Sequence, residues 1–312
     1  MQSNNVVTFG AFKKPMKPIH EIKFAREDLT HNPAFYWDEN NVRYQLANSN
    51  ENGDYNWLFV PGGPGGDSSY YTGLVKSLNL PGKCWLIDFP QNGSNIVDSA
   101  DYNFDQWLDL YLKVIEKFNN PIYVGHSFGA MIPLFFPQSE DILKGLVILN
   151  GAPSLWFAES AQKAKEKHRP DLTKPMQEFV GNPSEKTFAG ALEACLPYYF
   201  PPESLEQGGA LLKDLPFNYK AALWGQLMMS TQGFDAKWIP QQTPTLILGG
   251  SEDCITPFSL FEKDQRFHRK NILTKEVQNA GHIPWLEDTE AVRQAFNNFI
   301  RMIPSPKVSA KP

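Results

Sequence analysis

A mostly parallel β-sheet covered by helices is the fold class that this sequence predicts, and three observations carry it. Short β-rich runs alternate with helical ones along most of the chain. Several of those runs are continuously apolar, as strands buried on both faces should be. At 312 residues, and roughly 150 residues per domain, the chain is one large domain or a domain with a sizeable insertion.

The elements follow in order. Asn41 to Ala47 alternates and suits an outer strand. Asn56 to Val60 (NWLFV) is an apolar run that stops at PGGPGG, as a buried strand entering a loop should. Ser69 to Leu78 carries apolar residues at helical spacing, and Cys84 to Ile87 (CWLI) is another strand. From Phe104 to Phe118, residues Trp107, Leu108, Tyr111, Leu112, Ile115 and Phe118 mark one face of a helix. Pro121 to Val124 (PIYV) and Leu146 to Leu149 (LVIL) are short strands. Residues 151–239 are rich in Ala, Lys, Glu, Leu, Pro and aromatics without a β-branched run. They read as several short helices, too long for a loop and so an insertion on the sheet. Strands return at Thr245 to Leu248 and Asn271 to Val277, followed by a helix from Thr289 to Met302. The tail PSPKVSAKP has the composition of a disordered end. The domain expectation is therefore a discontinuous core, 1–150 and 240–312, with 151–239 as a helical cap.

Composition narrows the function. An apolar content of 42% excludes disorder, and a net charge of −5 offers no basic face for phosphates, so nucleic acid is not the expected partner. A small neutral or cationic molecule fits better. Cys84, Cys195 and Cys254 are far apart with no C-x-x-C pair, so neither a disulfide framework nor a metal site is expected. The first thirty residues lack the apolar run of a signal peptide, and no stretch approaches the roughly 20 apolar residues of a membrane span. A cytoplasmic protein without a membrane partner is the expectation.

The chemistry concentrates in four loops. PIYV runs into Gly125-His126-Ser127-Phe128-Gly129 and then a stretch able to begin a helix. This is G-x-S-x-G in the strand-turn-helix context that lifts a serine hydroxyl above a sheet. A serine needs a base, and the base needs a carboxylate to orient it. Gly249-Gly250-Ser251-Glu252-Asp253 follows strand TLIL, and Asn279-Ala280-Gly281-His282 follows the last strand. Asp253 is therefore assigned as the acid and His282 as the base, with Glu252 as the rival acid. The other five histidines, His20, His31, His126, His168 and His268, read as surface or structural. Asn150 cannot ionise, which favours the later-loop acid. The Pro61 to Gly66 loop can bring a bare backbone N–H close to a developing oxyanion, making the Gly63 and Phe128 amides the expected donors.

On PGGPGG, GHSFGA, GGSEDCITP and AGHIPW, the chain resembles the α/β-hydrolase superfamily, within it the prolyl iminopeptidase-like and esterase-like branch, over about residues 40 to 302. The resemblance implies the α/β-hydrolase fold: a mostly parallel eight-stranded sheet flanked by helices, with a helical cap inserted after strand six. Where the family's loop begins with His, this chain has Pro61; where prolyl iminopeptidases carry a tryptophan after the nucleophile, it has Phe128. Both differences weaken a peptidase reading. Among cap residues, Tyr198, Tyr199 and Trp224 are candidate substrate contacts, and Glu193 is a candidate amine ligand or an exposed helix glutamate.

The expected function is a serine hydrolase of a small, partly apolar ester or amide, acting through an acyl-enzyme without metal or organic cofactor. The alternatives are a prolyl iminopeptidase-type aminopeptidase, a C–C bond hydrolase, and a ligand sensor on the same fold. Epoxide hydrolases and dehalogenases of this fold carry an aspartate where Ser127 stands.

Overall fold

The computed structural model describes residues 24–31, 33–98 and 102–304. His20, the leader expectation on the first residues and residues 305–312 of the expected tail lie outside the described residues. Among the described residues there are nine strands: β1 (Arg26–Asp28), β2 (Phe35–Trp37), β3 (Arg43–Asn50), β4 (Asn56–Val60), β5 (Gly82–Asp88), β6 (Pro121–His126), β7 (Gly145–Leu149), β8 (Thr245–Gly250) and β9 (Ile272–Val277). They form one sheet in the order β1-β2-β3-β5-β4-β6-β7-β8-β9. The first three are antiparallel to their neighbours and every pairing from β5 through β9 is parallel. The class is the expected one, with two differences in count. The sheet has nine strands rather than eight, and the helical segment follows the seventh in chain order. Strands β1 and β2 are three residues each, too short to show a period in sequence, and they place β3 two strands in from the edge where an outer strand was expected.

The centre of the sheet is dry. Every residue of β4, β6, β7 and β8 is buried. Alternate side chains enter two separate cores: Tyr123, Leu146 and Ile148 join Trp107 and Tyr111 on one face, while Val124, Val147 and Leu149 join Trp57, Phe296 and Phe299 on the other. The helix Gln106–Glu116 buries Trp107, Leu110, Tyr111, Val114 and Ile115. Of the face read from sequence, Trp107, Tyr111, Ile115 and Phe118 are buried, while Leu108 and Leu112 are half-buried at its margin and Leu110 and Val114 take the core positions. The helix Thr289–Ile300 starts at Asp288, whose side chain accepts from the Ala291 N–H and satisfies one of its free amides.

Between β7 and β8 lie five α-helices: Phe157–Glu166, Thr173–Gly181, Glu185–Tyr199, Leu205–Asp214 and Tyr219–Gln232. The third begins with a capping box in which Ser184 and Thr187 each satisfy the other's backbone N–H. No helix among the described residues is long and apolar enough to cross a membrane.

Candidate active site

Strand β6 ends at His126, and Ser127 turns the chain with φ +52° and ψ −123°, outside the region that a serine ordinarily occupies. The short helix Phe128–Met131 follows at once, and Pro133 ends it in a single 3-10 turn, Ile132–Phe135. The turn is held from two sides. The Ser127 N–H donates to the Leu149 carbonyl at 2.9 Å, and a Cβ on Gly125 would lie 2.5 Å from the Gly129 carbonyl oxygen. Small flanking residues are therefore required by backbone contact, as the G-x-S-x-G spacing implied.

Asp253 and His282 are brought together by the neighbouring ends of β8 and β9, and both are wholly buried. Asp253 Oδ2 lies 2.9 Å from His282 Nδ1. A carboxylate only accepts, so Nδ1 carries the proton and Nε2 is left as a lone pair. The Asp253 carboxylate is itself fully engaged: Oδ1 accepts from the Ile255 and Thr256 N–H groups at 2.7 and 3.1 Å, and Oδ2 also accepts from Asn150 Nδ2 at 2.9 Å. Burial pushes this carboxyl up, but the interaction with His282 and these hydrogen bonds outweigh burial and hold it below its usual range. Asn150, noted in sequence only as a residue that cannot ionise, thus steadies the acid and also donates to the Gly281 carbonyl at 3.1 Å. The rival Glu252 faces away, paired with Lys167 at 2.5 Å and Arg169 at 3.6 Å.

Ser127 and His282 line the same narrow cleft of about 20 Å³, together with Gly62, Gly63, Tyr70, His126 and Tyr199. His282 Nε2 is buried with no hydrogen-bond partner among the described residues. The Gly63 and Phe128 amides are likewise free of any partner among the described residues. Gly63 has φ +122°, which a side chain would not tolerate.

The candidate substrate contacts divide. Tyr199 stands edge-on to the His282 ring at 4.9 Å, and Tyr198 and Tyr199 both line a chamber of about 350 Å³ that includes Ser127 and Phe128. Trp224 does not line it. Its ring stacks on Phe104 at 5.9 Å and its Nε1 donates to Asp105 at 2.8 Å, so it fastens the helical segment to the core helix that begins there. Glu193 is exposed and lies on a different cavity of about 610 Å³, between the helices Glu185–Tyr199 and Leu205–Asp214. His126, read from sequence as a surface or structural residue, takes the second form: it is buried against His282, their ring centroids 4.7 Å apart. Its hydrogen bonds, like those of Tyr70, had no sequence signal because both partners come from other loops. Among the described residues, no group of three or more His, Cys, Asp or Glu is placed to hold a metal ion.

The backbone of the helical segment reaches the same loops. The Tyr199 carbonyl accepts from the His282 N–H at 2.6 Å, and the Tyr198 carbonyl accepts from the Cys254 N–H at 3.0 Å. A Cβ on Gly281 would lie 2.0 Å from the Tyr199 oxygen, so only glycine lets the two chains meet.

Residues 57–295 match the model of the alpha/beta hydrolase family. The chain belongs to this family. Comparison with curated proteins finds no match. Among solved structures, the chain is similar to a proline iminopeptidase-related protein from Thermus thermophilus, at 20% identity and a TM-score of 0.62 over 91% of this chain and 98% of that one. It is similar to a thermophilic esterase from Thermogutta terrifontis, at 20% identity and a TM-score of 0.54 over 88% and 96% of the two chains. An epoxide hydrolase from Bacillus megaterium aligns at 16% identity and a TM-score of 0.58 over 83% and 97%. At these identities the likeness is one of fold, and members of one fold differ widely in chemistry.

Proposed function

We propose that the protein is a serine hydrolase of a small, partly apolar ester. Ser127 attacks the carbonyl, His282 Nε2 takes its proton and returns it to the leaving group, and Asp253 fixes the imidazole tautomer. The Gly63 and Phe128 amides hold the oxyanion, and the helices of residues 151–239 act as a cap over the cleft. The observation that carries this reading is the unpartnered His282 Nε2. An unsatisfied buried polar atom costs about 1–3 kcal/mol. One whose ring is oriented through Nδ1, and which shares a cleft with a serine on a strained turn, is a base awaiting a proton.

The lining favours an ester over a peptide with a free amine. The chamber at Ser127 is walled by Phe128, Met131, Trp156, Phe157, Met176 and Met229, and among the described residues no Asp or Glu lines either it or the narrow cleft. An ammonium there would lose its hydration without an ionic partner, a cost of several kcal/mol. Glu193, the candidate amine ligand, faces another cavity.

A fluorophosphonate probe should label the wild type and not Ser127→Ala. Medium-chain p-nitrophenyl esters should turn over faster than proline naphthylamide. Labelling retained in Ser127→Ala removes the nucleophile assignment, and a preference for the naphthylamide removes the ester assignment.

A further inference from the structure

Three hydrogen bonds connect loops that the chain keeps far apart. The Gly62 N–H donates to the Tyr70 hydroxyl at 3.0 Å, that hydroxyl lies 2.8 Å from His126 Nδ1, and His126 Nε2 lies 2.7 Å from the His282 carbonyl oxygen. All three are buried. The protons in this chain have one arrangement. A carbonyl oxygen only accepts, so His126 Nε2 carries the hydrogen; Nδ1 is then a lone pair, and the Tyr70 hydroxyl must donate to it. The relay runs from Gly62 through Tyr70 and His126 to His282.

Its two ends sit beside reacting groups. Gly62 precedes the free Gly63 amide, and its own backbone is pressed on the serine turn, where a Cβ would lie 2.7 Å from Ser127 Cβ. Pro61 has no N–H, so Gly62 carries the first backbone donor of this loop that can be held. At the other end the accepting carbonyl belongs to His282 itself. Trp285 walls the relay from the base loop, stacked on Tyr70 at 5.8 Å and edge-on to His126 at 5.0 Å.

We propose that Tyr70 and His126 are positioning residues that lock the oxyanion loop, the serine turn and the base loop into one register. The proposal rests on the hydrolase reading above. The relay works only with a neutral His126. A proton on Nδ1 would leave the Tyr70 hydroxyl without an acceptor and set a positive charge beside the His282 ring. The titratable groups around His126 are Tyr70, His282 and, beyond His282, Asp253. Burial first, and second the repulsion that a proton on each of two adjacent rings would bring, hold His126 well below its usual range, so the neutral form prevails.

The test uses the full chain and the variants Tyr70→Phe and His126→Gln, with the fluorophosphonate labelling rate and kcat and KM on a p-nitrophenyl ester followed across pH. In Tyr70→Phe, kcat should fall about 10- to 100-fold with KM within about twofold, because the loops shift and not the chamber. The acid limb of the profile should also move to higher pH, since the lost donor favoured neutral His126. His126→Gln keeps an amide donor for the His282 carbonyl and cannot titrate. It should lose about three- to tenfold in kcat with no shift of the acid limb. A folded Tyr70→Phe with wild-type kcat and an unshifted profile overturns the relay. Should that variant not fold, His126→Gln decides, and wild-type kcat there overturns it equally. Absence of labelling in the wild type overturns the hydrolase reading and the relay with it, whereas failure of the relay alone leaves wild-type labelling intact.

Discussion

The sheet centre and the helical segment between β7 and β8 are built in opposite ways. All of β4, β6, β7 and β8 is buried, whereas the 15-residue helix Glu185–Tyr199 fully buries only Ala191, and Phe157–Glu166 only Ala164. The sheet is stabilised by apolar area on both faces. The segment combines local devices such as the Ser184 capping box with a few apolar anchors, Phe200, Leu212, Ala221, Met228 and Met229, and meets the base and acid loops along a seam of backbone hydrogen bonds at Tyr198 and Tyr199. Ser127, Asp253 and His282 stand on the sheet side of that seam, and the chamber walls come largely from the other. In the proposed enzyme, chemistry would therefore be insensitive to changes in the helical segment away from Tyr198 and Tyr199, while substrate choice would not.

The seam is the place to break this division. In Gly281→Ala the new methyl meets the Tyr199 carbonyl, so the His282 loop must retreat from the segment. Stability should fall by about 3 kcal/mol, as overpacking at a fixed backbone contact does. Ester turnover should fall by about 100-fold or more, because the base itself is displaced. Thermal denaturation and steady-state kinetics check both, and a variant with wild-type values in each would show that the seam positions nothing.

A smaller effect separates the two regions by pH. On the sheet side, Arg43 lies between Asp67 at 3.0 Å and Asp88 at 2.7 Å, all three side chains buried. Burial and the Asp67 charge push Asp88 up to about 6 in spite of Arg43. A carboxyl raised in the folded state binds a proton that the unfolded chain has already released. Its stabilising contribution is complete below the unfolded value of 3.8 and is lost as pH rises through about 6. The stability gap between wild type and Asp88→Asn should accordingly be larger at acid than at neutral pH, by at most about 3 kcal/mol. Urea denaturation at the two pH values measures it, and a gap that widens toward neutral pH would contradict this sign.

The smallest effect belongs to the helical segment alone. Ser184→Ala removes one half of the capping box and should cost about 1 kcal/mol. It should leave kcat unchanged, since the cap lies at the far end of that helix from Tyr199. A fall in kcat would mean that the segment is coupled to the site along its whole length.

Much of the fold and of the candidate site was legible in the sequence because burial on both faces writes continuous apolar runs, and because a strained serine turn demands small residues at fixed offsets. The strands at NWLFV, CWLI, PIYV, LVIL and TLIL all appear, extended by up to a few residues. Strands β1 and β2 escaped because three residues show no period. The expectation that Trp224 contacts substrate rests on aromatic character, which does not distinguish a ring that faces a cavity from one stacked on Phe104.

The sequence alone determined the architecture, the serine turn and the loops from which an acid and a base would come, since local geometry and hydrophobic pattern are written in neighbouring residues. Only the tertiary structure decided which atoms meet: Asn150 on the Asp253 carboxylate, the Tyr199 carbonyl on the His282 amide, and the passage from Gly62 through Tyr70 and His126 to His282. Each of those contacts joins residues from separate segments of the chain. A hydrogen bond between distant segments leaves no periodicity in either, so it becomes visible only when the sheet has placed the loop ends side by side.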